Sequence, residues 1–164
     1  MADKHDDPEQ RAQHIERLDQ GFAQAVPHNR ALGLRFVDYD KGVARILLPY
    51  AAHLVGNPES GVLHGGAITA TMDATCGAAV FLRLGAPTPI ATLDLRIDYL
   101  KPATPPKDVV CRAECYKVTS NVAFVRALAF HDDDEDDPIA SAAGTFIIFR
   151  KGGKSAMQGQ KAVP

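Results

Sequence analysis

The chain has 164 residues, 46% hydrophobic and 23% charged, with a formal net charge of −2. A chain of this length and make-up forms one globular domain that buries roughly 70% of its unfolded surface. The composition excludes a disordered or collagen-like chain, and the near-neutral charge leaves no field to draw it to nucleic acid or anionic lipid.

The opening residues MADKHDDPEQ carry no apolar signal core, and no run reads as a membrane span. Residues 8–26 place Ile15, Leu18, Phe22 and Val26 on one helical face, with Asp7 as N-cap and Pro8 in the first turn. One amphipathic helix ended by Pro27 is expected. Two strands, 32–39 and 43–49, follow around the turn Asp40-Lys41-Gly42, then a loop over 51–63 broken by Gly56, Pro58 and Gly61.

Residues 64–84 read as a second helix in which Asp73 and Arg83 are the only charges between Gly65 and Leu84, and a helix apolar nearly all round is a buried one. Four strands then complete the chain, at 90–100, 108–119, 122–130 and 139–150, and are expected to pair as a meander. In the first of them Leu93, Leu95, Ile97 and Tyr99 alternate with Thr92, Asp94, Arg96 and Asp98. The six acids at 132–137 admit a cation site, but a hairpin tip enforces no converging ligand geometry, so a solvated loop is the expectation. Residues 151–164 read as a mobile tail.

This order implies an α+β fold in which one long buried helix is wrapped by a single curved antiparallel sheet, preceded by an N-terminal amphipathic helix. Residues 1–28 form the helical extension, 29–150 the domain and 151–164 the tail. A sheet with two open edges is relieved by pairing one of them with a second copy, so a homodimer is expected. Cys111 and Cys115 lie four apart in a strand, about 13 Å, and cannot pair with each other. Cys76, in the buried helix, is either an inert thiol or a nucleophile. Three unpaired thiols suit a reducing cytoplasm.

Chemistry concentrates at the buried helix. His64-Gly65-Gly66 opens it, where unpaired N–H groups and the positive end of the helix dipole can stabilise an oxyanion; the same glycines also serve close packing. Asp73 is a carboxylate in an apolar helix, held there either by a structural partner or by a task. It lies eight residues beyond Gly65, about 12 Å along the axis, so one carbonyl cannot touch both within a chain. If both serve one substrate, the helix tip comes from one subunit and the acid from its neighbour. Thr92 either holds the acid or a water, or is present for strand propensity.

Asn57, His64-Gly65-Gly66, Asp73 nine residues after the histidine, and the run Ala91 to Ala103 resemble the hotdog-fold acyl-CoA thioesterases of the phenylacetate-pathway type. The resemblance spans residues 29–150 and includes Asn121-Val122-Ala123-Phe124 and Ala142-Ala143-Gly144-Thr145-Phe146. It implies that the Gly65 N–H polarises a thioester carbonyl, with Asn57 and His64 assisting, while Asp73 of the facing subunit acts as general base or nucleophile beside Thr92. Gly66, Leu63, Val62 and Lys101 are the implied substrate contacts, with Arg150 and Lys151 further candidates for the phosphates. It also implies a dimer or a tetramer of two dimers, no metal or other cofactor, and CoA as part of the substrate. Leu54, Val62, Leu63, Met72 and Phe81 are candidates for the acyl pocket, for an aromatic or medium-chain group. A non-catalytic acyl-CoA sensor and a hotdog dehydratase are the competing readings.

Overall fold

The computed structural model describes residues 7–86, 88–132 and 134–150; the expected tail, and with it Lys151, lies outside them. Helix α1 (Pro8–Leu18) begins as expected, with the Asp7 carboxylate accepting from the Glu9 N–H at 3.4 Å, but it does not run on to Val26. It continues as a π-helical turn over Asp19–Gln24, and Pro27 then opens a further short helix, α2 (Pro27–Ala31), instead of closing the first. Proline is suited to that role, because the first helical N–H has no partner inside the helix.

Strands β1 (Arg35–Asp40) and β2 (Val43–Leu48) form the hairpin, with Gly42 at φ +76° in its turn. The stretch expected to be plain loop contains a 3₁₀ turn at Ala52–Leu54 and a small hairpin of β3 (Val55–Asn57) and β4 (Val62–Leu63). Helix α3 (Gly65–Leu84) follows and stops at Gly85, which adopts the left-handed conformation at φ +66°. Its buried threonines are satisfied internally: Thr71 donates to the Ala67 carbonyl at 2.8 Å and Thr75 to that of Thr71 at 2.7 Å. By length and composition α3 matches a membrane span, contrary to the expectation that no such run exists, but its apolar surface is spent on the sheet, where Ile68, Met72, Cys76 and Val80 are buried.

Strands β5 (Ile90–Tyr99), β6 (Val109–Val118), β7 (Val122–Phe130) and β8 (Ala140–Ile148) complete one antiparallel sheet of order β1-β2-β6-β7-β8-β5. Only β6, β7 and β8 form the expected meander. β5 lies at the far edge beside β8, because the connection to β6 crosses back over the end of the sheet and lets β6 pair with β2. That connection is held by buried His131, which accepts from the Thr104 N–H at 2.9 Å through Nε2 and donates from Nδ1 to the Asp108 carbonyl at 2.7 Å. The sheet curls around α3, as in the hotdog architecture expected from the sequence.

The two edges differ. The N-terminal segment covers β1: Asp19 accepts from the Phe36 N–H at 2.7 Å, and Arg11 donates to the Tyr39 carbonyl at 2.6 Å. Among the described residues no strand flanks the outer side of β5, which is the arrangement an edge awaiting a partner presents.

Strict alternation fails in β5. Thr92 pairs with Phe146 and Asp94 with Thr145, so Leu93 is an extra residue, a β-bulge, and it is 57% exposed. The bulge reverses which side chains face the helix. Thr92 reaches α3, and beyond Leu93 the helix-facing side passes to Leu95, Ile97 and Tyr99.

Candidate active site

The first cluster forms at the N-terminus of α3. His64 is the N-cap, and its Nδ1 accepts from the Gly66 N–H at 2.9 Å. A backbone N–H can only donate, so Nδ1 carries the lone pair and Nε2 the proton. The neighbouring Gly65 N–H makes no hydrogen bond among the described residues. Strand β3 lies against this tip because Gly56 has no side chain: a Cβ there would stand 2.8 Å from His64 Cα. The Gly65 carbonyl accepts from Tyr99 Oη at 2.5 Å, and the same hydroxyl lies 2.8 Å from Thr69 Oγ1. Tyr99 drew no attention in the sequence beyond its place in the alternation of β5; its position at the end of that strand, on the face of Leu95 and Ile97, was the available signal.

A cleft of about 360 Å³ opens beside Gly65, with Val62, Leu63, Tyr99 and Lys101 among its walls. The structure thus brings together three of the expected substrate contacts. Gly66 lies instead in a separate cleft of about 400 Å³ with His64 and Leu54. Lys101 is not a free cation, since its ammonium pairs with the Asp137 carboxylate. The acidic loop is likewise not simply solvated: Glu135 pairs with Arg45 at 2.6 Å and lies 3.7 Å from Arg112. Asn57 sits in β3, exposed, with its side-chain carbonyl accepting from the Glu59 N–H at 3.0 Å, a bond that orients the amide and leaves its NH₂ able to donate to a ligand. Of the other acyl-pocket candidates, Met72 is fully buried under the sheet, and Phe81 packs edge-on against Phe22, ring centres 6.3 Å apart.

The second cluster lies two turns along α3. The Asp73 carboxylate is half-buried and accepts from Thr92 Oγ1 at 2.9 Å, on the side of the helix facing the open edge strand. Asp73 and Gly65 are separated by eight residues of unbroken helix, about 12 Å of axial rise, so within one chain the donor and the acid stay apart. Cys76, one turn further, is not a nucleophile in waiting. Burial, reinforced by the nearby Asp73 charge, pushes its thiol up to about 12, and burial raises Cys111 and Cys115 as well.

An unpartnered helix-tip N–H, a neighbouring imidazole fixed as an Nε2–H donor, and a carboxylate clamped by a hydroxyl together suit attack on an activated carbonyl. Residues 60–137 match the family model of the thioesterase superfamily. A Pseudomonas aeruginosa protein of known crystal structure is 47% identical, superposes with a TM-score of 0.72, and the match covers 81% of this chain and 97% of that one. The chain belongs to the thioesterase superfamily. As a member it is a thioester hydrolase. It is also similar to the medium/long-chain acyl-CoA thioesterase YigI of Salmonella typhimurium, at 29% identity over 155 residues covering 83% of this chain and 94% of the relative. The phenylacetic acid degradation protein PaaI of Thermus thermophilus shares the fold, with a TM-score of 0.65 at 23% identity, over 76% of this chain and all of that one.

Proposed function

We propose that this thioesterase hydrolyses acyl-CoA, with each active site assembled from two chains paired along β5. The observation that carries the reading is the separation on α3: a free Gly65 N–H and an acid about 12 Å further along the same helix, the acid clamped at an uncovered sheet edge. A two-fold axis at that edge sets the helix tip of one chain against Asp73 of the other and shields the half-buried carboxylate from bulk solvent. A dimer, or a tetramer of two such dimers, is the assembly this requires.

In the proposed reaction the thioester oxygen sits on the Gly65 N–H, with His64 Nε2–H and the Asn57 amide as further donors. Asp73 of the second chain takes a proton from water that attacks the carbonyl carbon, or attacks that carbon itself and expels the CoA thiolate to give an anhydride that water then opens. Negative charge develops on the oxygen facing the helix tip, where the fixed N–H dipole stabilises it. In the water route the C–S bond breaks as the tetrahedral intermediate collapses; in either route the thiolate takes up a proton, and the products are a carboxylic acid and free CoA. Thr92 holds the carboxylate in line. CoA enters as part of the substrate, and the proposed steps call on no further cofactor.

The enterobacterial relative named for medium- and long-chain acyl-CoA supports an aliphatic acyl group over an aromatic one, and thioesterase relatives favour hydrolysis over the sensor and dehydratase readings. Three free buried cysteines fit a cytoplasmic location. The test is release of free thiol from acyl-CoAs of graded chain length by wild type and Asp73→Ala. Turnover by the wild type, lost in a folded Asp73→Ala, supports the proposal; full turnover by the variant, or tight CoA-ester binding by the wild type without thiol release, refutes it.

A further inference from the structure

Tyr99 and His64 are joined by one peptide unit. The carbonyl of Gly65 and the N–H of Gly66 belong to the same amide; the first accepts from Tyr99 Oη at 2.5 Å, and the second donates to His64 Nδ1 at 2.9 Å. Upstream, Thr69 Oγ1 lies 2.8 Å from the tyrosine oxygen; with the tyrosine proton committed to Gly65, Thr69 is the donor of that contact. A continuous chain therefore runs from the Thr69 hydroxyl through Tyr99 and the Gly65–Gly66 amide to the imidazole. Every donor in it points the same way, and bonds in such a series polarise one another.

Two glycines make the chain possible. A Cβ on Gly65 would stand 3.1 Å from Tyr99 Oη, and one on Gly66 would stand 2.8 Å from His64 Nδ1. Neither hydrogen bond survives such a neighbour unchanged.

We infer that Tyr99 is a positioning residue for this thioesterase: acting through the Gly65–Gly66 amide, it holds His64 in the tautomer that presents Nε2–H outward as a donor. Withdrawal of electron density at the Gly65 carbonyl strengthens the Gly66 N–H as a donor, and a stronger donor at Nδ1 keeps the imidazole proton on Nε2. The same bond anchors the first turn of α3, which bears the free Gly65 N–H. The inference takes its catalytic meaning from the thioesterase reading, but the tautomer is measurable without turnover.

The experiment compares the imidazole ¹⁵N signals of His64 and the acyl-CoA kinetics in wild type, Tyr99→Phe, Thr69→Val, His64→Ala and the double variant Tyr99→Phe/His64→Ala. Tyr99→Phe keeps the ring and removes only the hydroxyl. The expected results are a pure Nε2–H signature in wild type, a mixed-tautomer signature in Tyr99→Phe, and a smaller shift in the same direction in Thr69→Val. Tyr99→Phe should lower kcat by about tenfold with KM little changed, the loss of one polarised hydrogen bond. That factor should shrink towards one in the His64→Ala background. Unchanged His64 nitrogens in Tyr99→Phe overturn the inference, as does an equal kcat loss with and without His64. If Tyr99→Phe does not fold, Thr69→Val decides by the same signals. A wild type that shows the tautomer coupling but no thiol release refutes the thioesterase assignment and leaves the coupling standing.

Discussion

Thr92 donates its hydroxyl to the Asp73 carboxylate at 2.9 Å, across the one place where β5 departs from regular pleating. In a regular strand, with Leu93 paired instead of bulged, Thr92 would share the face of Asp94 and turn away from α3. The clamp fixes one carboxylate oxygen and leaves the other for a substrate or water. Asp73→Asn keeps the shape and removes the charge, so kcat should fall by about 10² to 10⁴ with unchanged melting. Thr92→Val removes the clamp and should cost about tenfold in kcat. Thiol-release kinetics with thermal denaturation check both.

Gly144 makes the bulge sterically possible. It pairs with Leu95, and a Cβ there would meet the Asp94 carbonyl oxygen at 2.6 Å and Leu95 Cδ1 at 2.9 Å. Backbone cannot yield as a side-chain tip can, so Gly144→Ala should push β5 away from β8. A loss of about 1 to 3 kcal/mol in denaturant unfolding is expected, together with a fall in kcat as Thr92 leaves Asp73. An alanine variant with wild-type stability and rate would show that the bulge does not depend on this glycine.

The long helix, the positions of the six strands of the main sheet and the helix-tip motif were legible because each is a local matter of period, capping or turn chemistry; the short β3–β4 hairpin, within the expected loop, was not. The buried helix announces itself in residues 64–84, and its expected start at His64 proved to be the N-cap. Pairing order was not legible: the β5 crossover depends on the connection tied to His131, a contact 27 residues away from Thr104. Nor was the bulge, since Thr92, Leu93 and Asp94 read as clean alternation until the register with Phe146 and Thr145 is known. Tyr99 escaped for a similar reason. Its partners, Gly65 and Thr69, belong to a different element and meet it only in the folded chain. The pairing of Lys101, an expected substrate contact, with Asp137 was not legible either, since the two lie 36 residues apart and meet only in the fold.

Gly66→Ala tests the helix tip. The added methyl would stand 2.8 Å from His64 Nδ1 and 3.0 Å from its Cε1, so the imidazole must leave its capping position. Loss of a cap costs about 0.5 to 2 kcal/mol. The expected signature is a modest fall in melting temperature with a larger fall in kcat, because the displaced ring no longer offers Nε2–H to the carbonyl. A fall in stability with kcat intact would place His64 in a purely structural role.

The uncovered edge gives a prediction about assembly. Leu93 in β5 and Leu100 just past its end are each 57% exposed, and Tyr99, the last residue of the strand, is 49% exposed. Lysine on an edge strand opposes pairing with a second copy. Leu93→Lys/Leu100→Lys should therefore shift the protein to a monomer in light scattering while its circular dichroism stays native, and thiol release should vanish with the dimer. A monomer that retains full turnover would remove the shared site.

Alkaline pH probes the core through Cys76. In the unfolded chain this thiol titrates at its ordinary value of 9.0, whereas burial in the fold, with Asp73 nearby, raises it to about 12. Between those values the unfolded state has released a proton that the folded state still holds, so stability falls as pH rises. The contribution of this thiol is fully present below pH 9, declines by as much as about 1.4 kcal/mol per pH unit, and is lost by about pH 12. Lysines and tyrosines titrate in the same window, so the comparison must be with Cys76→Ala, in which that slope is removed. Denaturant unfolding at pH 8.0, 9.5 and 10.5 should show the wild type losing stability more steeply than the variant; parallel pH dependences would mean that the thiol ionises as readily inside the fold as outside it.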